Sequence, residues 1–157
     1  MTPAQLTTLK AAILAEADPA FVEARTNGQT PLMTAFYNVD ASPAYYAWRS
    51  AYSPDMIRDA ITNGITQLDA LTGSKRDSLL WWAQGTHDAR RPQVQAAISD
   101  LCGSQNTLKT AVLDGAKRLA LRGERLFATG AGSLAAPGVL AFEGQITDGD
   151  IGAALEA

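Results

Sequence analysis

Through about the first 120 residues, leucine, isoleucine and alanine recur among charged and polar positions at helical spacing. Leu6, Leu9, Ile13 and Ala17 share one helical face, which predicts a first helix over residues 3 to 17. A loop is expected through "EADPAFVEARTNGQ", then a short helix over "PLMTAFYN". "SPAYYAWRSAYSPDMIRDAITNG" reads as two short helices with a kink at Ser53-Pro54, the second closed by Asn63-Gly64. "ITQLDALTGS" is one turn, residues 75 to 84 form a helix around Leu79, Leu80, Trp81 and Trp82, and another runs from Pro92 to Gly103. The longest helix is expected from Thr107 to Ala128, with Leu108, Val112, Ala116, Leu119 and Leu126 roughly in register. Gly115 and Gly123 interrupt it, each at a cost of about 1 kcal/mol relative to alanine, so a bend is expected near Arg122-Gly123.

Helix starts are marked by a hydroxyl residue before proline at Thr2-Pro3, Thr30-Pro31, Ser42-Pro43 and Ser53-Pro54. The hydroxyl accepts from an orphan N–H, and proline at the first helical position loses no hydrogen bond. Thr2 with Gln5 fits a capping box, and Asp55 complements the helix dipole.

The pattern changes after Ala128. "ATGAGSLAAPG" is turn material, "VLAFEGQIT" alternates as one strand, and "DGDIGAALEA" is read as one or two helical turns at most. A lone strand is unstable in water, so it must pair inside this chain or with the edge of another molecule. The expected fold is therefore mainly α: a helical-bundle body over residues 1–128 and a Gly-rich C-terminal arm over 129–157 containing one short β-strand.

At 157 residues one domain is the default. Charged residues make up only 18%, so alanine-rich faces point toward burial against other chains. Thirteen Lys and Arg against sixteen Asp and Glu give a net charge of −3, which offers no footprint for sequence-specific nucleic acid binding. The single Cys102 suits a reducing compartment and a small core role. No secretory signal or membrane-spanning run is expected.

Candidate chemistry is sparse. Gly130-Ala131-Gly132-Ser133 follows a helix and precedes a strand, with no lysine after Lys117, which is the wrong order for a phosphate loop and right for a connector. His87 in "GTHDARRP" is the one histidine, so no His-rich metal pattern exists, and no cofactor is expected. Tyr37, Tyr45, Tyr46, Trp48 and Tyr52 crowd one region and are read first as core, Tyr45 and Trp48 sharing a helical face. Adjacent Trp81 and Trp82 cannot point the same way on a helix, so one of them is a candidate for a partner surface. Arg118, Arg122 and Arg125 form an i, i+4, i+7 stripe near the end of the long helix, read as solvated or as facing an acidic neighbour. Nothing here points to an enzyme.

"KRLALRGERLFATGAGSLAAPGVLAFEGQITDGDI", with the "MTPAQLTTLKAAI" start and the "SPAYYAWRSAYSPDMIRDAI" block, resembles a family of small proteins from the structural gene clusters of tailed bacteriophages. The resemblance implies a virion part, assembled in the bacterial host cytoplasm. The expectation built on it is a head-to-tail connector, an adaptor subunit of the neck that forms a homo-oligomeric ring and contacts the portal protein and adjacent neck or tail proteins. In that reading Val139, Leu140, Phe142 and Glu143 dock the arm, while Arg118, Arg122, Arg125, Trp81 and Trp82 form the body's interface. Removing residues 129–157 is then expected to leave a folded helical monomer. A tail-tip, baseplate or fibre-attachment protein and a soluble regulatory or host-interaction protein are the alternatives.

Overall fold

The computed structural model describes all residues, Met1–Ala157, and its fold is mainly α, with ten helices and two short antiparallel strand pairs. The chain divides into two compact units, residues 1–46 with 119–157, and residues 47–118. The division expected at 128/129 is corrected accordingly: residues 129–157 are part of the first unit, together with the N-terminal 46 residues.

In the first unit, α1 (Pro3–Ala15) starts on the expected capping box, Thr2 Oγ1 accepting from Gln5 N and Gln5 Oε1 from Thr2 N. The expected loop after it is a helix, α2 (Pro19–Thr26), because Asp18 accepts from the N–H groups of Ala20 and Phe21 ahead of Pro19. The third helix, α3 (Thr30–Tyr37), begins one residue earlier than a Thr30 cap would require. Ser42-Pro43 starts no helix; its peptide is cis, and the chain runs on into β1 (Tyr46–Trp48).

The second unit starts within β1. Ser53 caps α4 (Pro54–Asn63) as expected, followed by α5 (Ile65–Leu68), α6 (Gly73–Trp82), α7 (Pro92–Cys102) and α8 (Asn106–Gly115). Its core joins Tyr52, Ile57, Leu79, Ile98, Cys102, Leu108 and Val112, all fully buried. Cys102 is thus a core residue, and burial raises its thiol pKa.

The expected long helix ends at Gly115. A Cβ there would lie 2.7 Å from Tyr52 Oη and 2.9 Å from Ala60 Cβ, so only glycine lets α8 approach α4 this closely. Tyr52 Oη donates to Val112 O at 3.0 Å across the same contact. After it the chain forms β2 (Lys117–Leu119), which pairs with β1.

Back in the first unit come α9 (Arg122–Arg125), β3 (Ala128–Thr129), β4 (Val139–Leu140) and α10 (Asp148–Glu156). The expected strand is shorter than its alternation implied and pairs inside the chain, Ala128 opposite Leu140 and Thr129 opposite Val139. Its ending is no loose tail. Thr147 and Asp150 form a capping box, and α10 buries Ile151 and Ala154 in a core with Leu9, Ile13, Phe21, Met33 and Tyr37. The Asn38 side chain pairs with both backbone groups of Ile146, at 2.8 and 2.9 Å, and fixes the approach to α10.

The glycine loop between β3 and β4 is closed around one aromatic ring. Tyr46 N donates to Gly132 O, Gly138 N donates to Tyr46 O, and Tyr45 Oη lies 3.1 and 3.2 Å from the carbonyls of Thr129 and Gly130. A side chain at Gly132, whose φ is 68°, would occupy the space of the Tyr45 ring. The Gly130–Ser133 segment therefore links two strands, and its small residues make room for Tyr45.

Candidate functional site

Helix α6 turns Leu79 into the core of the second unit, and neighbouring helical positions diverge by about 100°. Trp82 consequently packs inward and stacks on His87, with ring centroids 4.0 Å apart and planes within 10°. His87 Nε2 lies 2.8 Å from Trp82 O, and since a carbonyl only accepts, Nε2 is the donor of this bond. Trp81 points away and is 76% exposed, next to Leu80 at 42%. Asp77, Leu80, Trp81 and Gln84 make one exposed stripe at i, i+3, i+4 and i+7.

A polar hollow of about 360 Å³ beside this helix is lined by Ser50, Thr86, His87, Asp88, Arg91 and Val94. Its residue types evoke acyl-transfer chemistry, but His87 and Asp88 have other partners. A Ser-His-Asp relay needs the carboxylate on the imidazole. Asp88 instead takes two bonds from Arg90, at 2.8 and 3.0 Å, with Arg91 at 3.4 Å, and the Arg90 bonds hold its carboxyl below the usual range. The hollow is a braced turn.

The first unit carries an apolar cleft of about 260 Å³ between α2 and α3, lined by Asp18, Ala20, Phe21, Ala24, Leu32 and Phe36. Phe21 and Phe36 meet at 4.6 Å between centroids, and the Arg122 guanidinium lies 3.9 Å over Phe36. Leu32 on the rim is 57% exposed. Sequence reading missed this cleft because it read α2 as loop; Asp18-Pro19 carries the capping signal that reveals the helix.

The expected arm interface is corrected by burial. Leu140 is 1% exposed, and Phe142 packs on Phe127 at 5.5 Å within the first unit's core, so both anchors are occupied inside their own chain. Val139 remains partly exposed at 39%, and Glu143 is half-buried on the following turn. The arginine stripe is also corrected: Arg118 lies on β2, while Arg122 and Arg125 lie on α9, so no single helix face carries the three. Arg125 donates to Pro43 O at 3.1 Å and lies over the Tyr45 ring at 5.9 Å. Of the aromatic group, Tyr37, Tyr45 and Tyr52 are core as expected, though Tyr45 and Trp48 share no helix.

Glu124, the one buried charged side chain, was not singled out by its sequence. One carboxylate oxygen accepts from Leu121 N and the other from Gly144 N, each at 2.8 Å, so it ties α9 to the turn after β4. No protein family, curated protein or solved structure matches the chain.

Proposed function

We propose that this chain is a non-enzymatic structural subunit of a tailed-bacteriophage particle, an adaptor in the neck between portal and tail. The sequence resemblance supplies the setting, and the exposure of Trp81 carries the structural part of the reading. A tryptophan left 76% exposed beside an exposed leucine withholds a large apolar area from the core. Fully desolvated tryptophans are among the residues that dominate protein interfaces. The docking element is accordingly the Trp81 stripe of α6, in place of the arm residues Leu140 and Phe142.

Mass spectrometry of gradient-purified particles, referred to the portal protein, tests this. The expected result is a fixed ratio of about one copy per portal subunit or a small multiple, as a closed ring requires. Absence from the particle overturns the reading. Trp81→Ala is expected to lower incorporation at least tenfold while leaving the circular dichroism of the purified protein unchanged.

A further inference from the structure

The exposed indole and the apolar cleft lie on different units of the same chain, and those units differ in charge. Residues 47–118 hold nine Lys and Arg against seven Asp and Glu, a net of +2; the remainder hold four against nine, a net of −5. We propose that Trp81 of one copy seats in the cleft between α2 and α3 of a second copy. The proposal rests on the assembly reading above and names its partner.

Three observations carry it. The knob is a single tryptophan with nothing of its own chain over most of its surface. The hole is an open apolar cleft of about 260 Å³, comparable to one aromatic side chain, with Ala20 and Leu32 exposed on its rim, half-buried Phe36 on its wall and the buried Phe21 ring at its floor. The charges then match in sign. Lys75, Arg76 and Arg91 near the knob each face an aspartate of their own unit, Asp100, Asp69 and Asp88, at 4.0, 3.8 and 3.4 Å, so the match is one of net charge, +2 on the knob's unit against −5 on the cleft's, where Asp18 and Glu23 stand exposed. Asp77 on the knob side and Arg25 and Arg122 on the cleft side are already counted in those nets.

The same charges disfavour a symmetric pair of Trp81 faces, since two units of net +2 would meet. Used head to tail, a knob and a hole made of different residues form a heterologous contact, which propagates from copy to copy and closes into a ring where the rotation allows. Salt screens the steering charges, so association weakens as ionic strength rises.

The test uses sedimentation velocity of the purified full chain at low salt over a wide concentration range. Wild type is expected to form species larger than a dimer. Trp81→Ala removes the knob, and Ala20→Arg, with Leu32→Glu as a second version, blocks the hole at exposed positions. Each variant alone is expected to associate at least about thirtyfold more weakly. An equal mixture of Trp81→Ala with a blocked-cleft variant retains one knob and one hole, so a dimer of the two, and nothing larger, is expected. A monomeric wild type, a wild type that stops at a dimer, a Trp81→Ala protein that still associates, or a mixture that stays monomeric overturns the proposal. The two readings fail separately: particles containing a chain that never self-associates refute only the knob and hole, and self-association of a chain absent from particles refutes only the virion setting.

Discussion

Tyr37 is 2% exposed, and its hydroxyl finds no protein partner. Burial, with Glu16 adding to it, pushes its pKa up to about 12 from 10.0. A phenol whose folded pKa is raised contributes stability that is fully present below pH 10 and is lost as pH climbs through the folded value. Stability is therefore expected to fall between pH 10 and 12, with Tyr52, also raised by desolvation, adding to the fall. Tyr37→Phe keeps the ring's contacts with Phe21 and Phe36 and deletes an unpaired polar atom, whose burial costs about 1–3 kcal/mol. Urea unfolding at pH 7 is expected to find the variant at least as stable as wild type, and its loss between pH 10 and 12 shallower. A destabilised Tyr37→Phe would mean that the hydroxyl has a partner in solution.

At the scale of elements, the ends of helices were legible and their company was not. Thr2, Ser53, Pro92 and Gly103 act where their local chemistry places them, because capping is settled within four residues. Ser42-Pro43 has the same local signature and starts no helix, since Tyr45 and Tyr46 engage the glycine loop some ninety residues later. The long helix failed for a related reason: its apolar register continues past Gly115, but the backbone from Lys117 onward bonds to another strand. The candidate interface divides in the same way. Divergence of Trp81 and Trp82 follows from helix geometry alone, whereas the burial of Leu140 and Phe142 depends on a hairpin partner the alternation pattern could not identify. Gly115→Ala separates the two influences. Helix propensity favours alanine by about 1 kcal/mol, yet the added Cβ meets Tyr52 Oη at 2.7 Å, and overpacking of a tight core costs about 1–3 kcal/mol. Net destabilisation is expected in urea unfolding, with Tyr52→Phe partly relieving it; a stabilised Gly115→Ala would show that α8 yields at this point.

At the scale of the whole chain, one unit is continuous in sequence and interrupts the sequence of the other, and this changes what a C-terminal deletion reads. A detachable arm would leave the body folded. Residues 129–157 instead supply Leu140, Phe142, Ile146, Ile151 and Ala154 to the packing of the first unit, and Thr34 and Asn38 bond directly to Asp148 and Ile146. Burying side chains of this size contributes about 1.5–3 kcal/mol each for the larger ones, a sum comparable to the whole stability of a small domain. Deleting 129–157 is therefore expected to unfold residues 1–46 as well, while residues 47–118 keep a core that shares none of these side chains. Hydrogen exchange on the truncated protein distinguishes the outcomes. Protection lost across α1, α2 and α3 but retained in α4, α7 and α8 is expected; protection retained throughout would restore the picture of a separable arm. Under the expected result, failure of the truncation to enter particles says nothing about docking, because the cleft between α2 and α3 is lost with it. Point substitutions at Trp81 and Ala20, which leave both cores intact, are the changes that report on assembly.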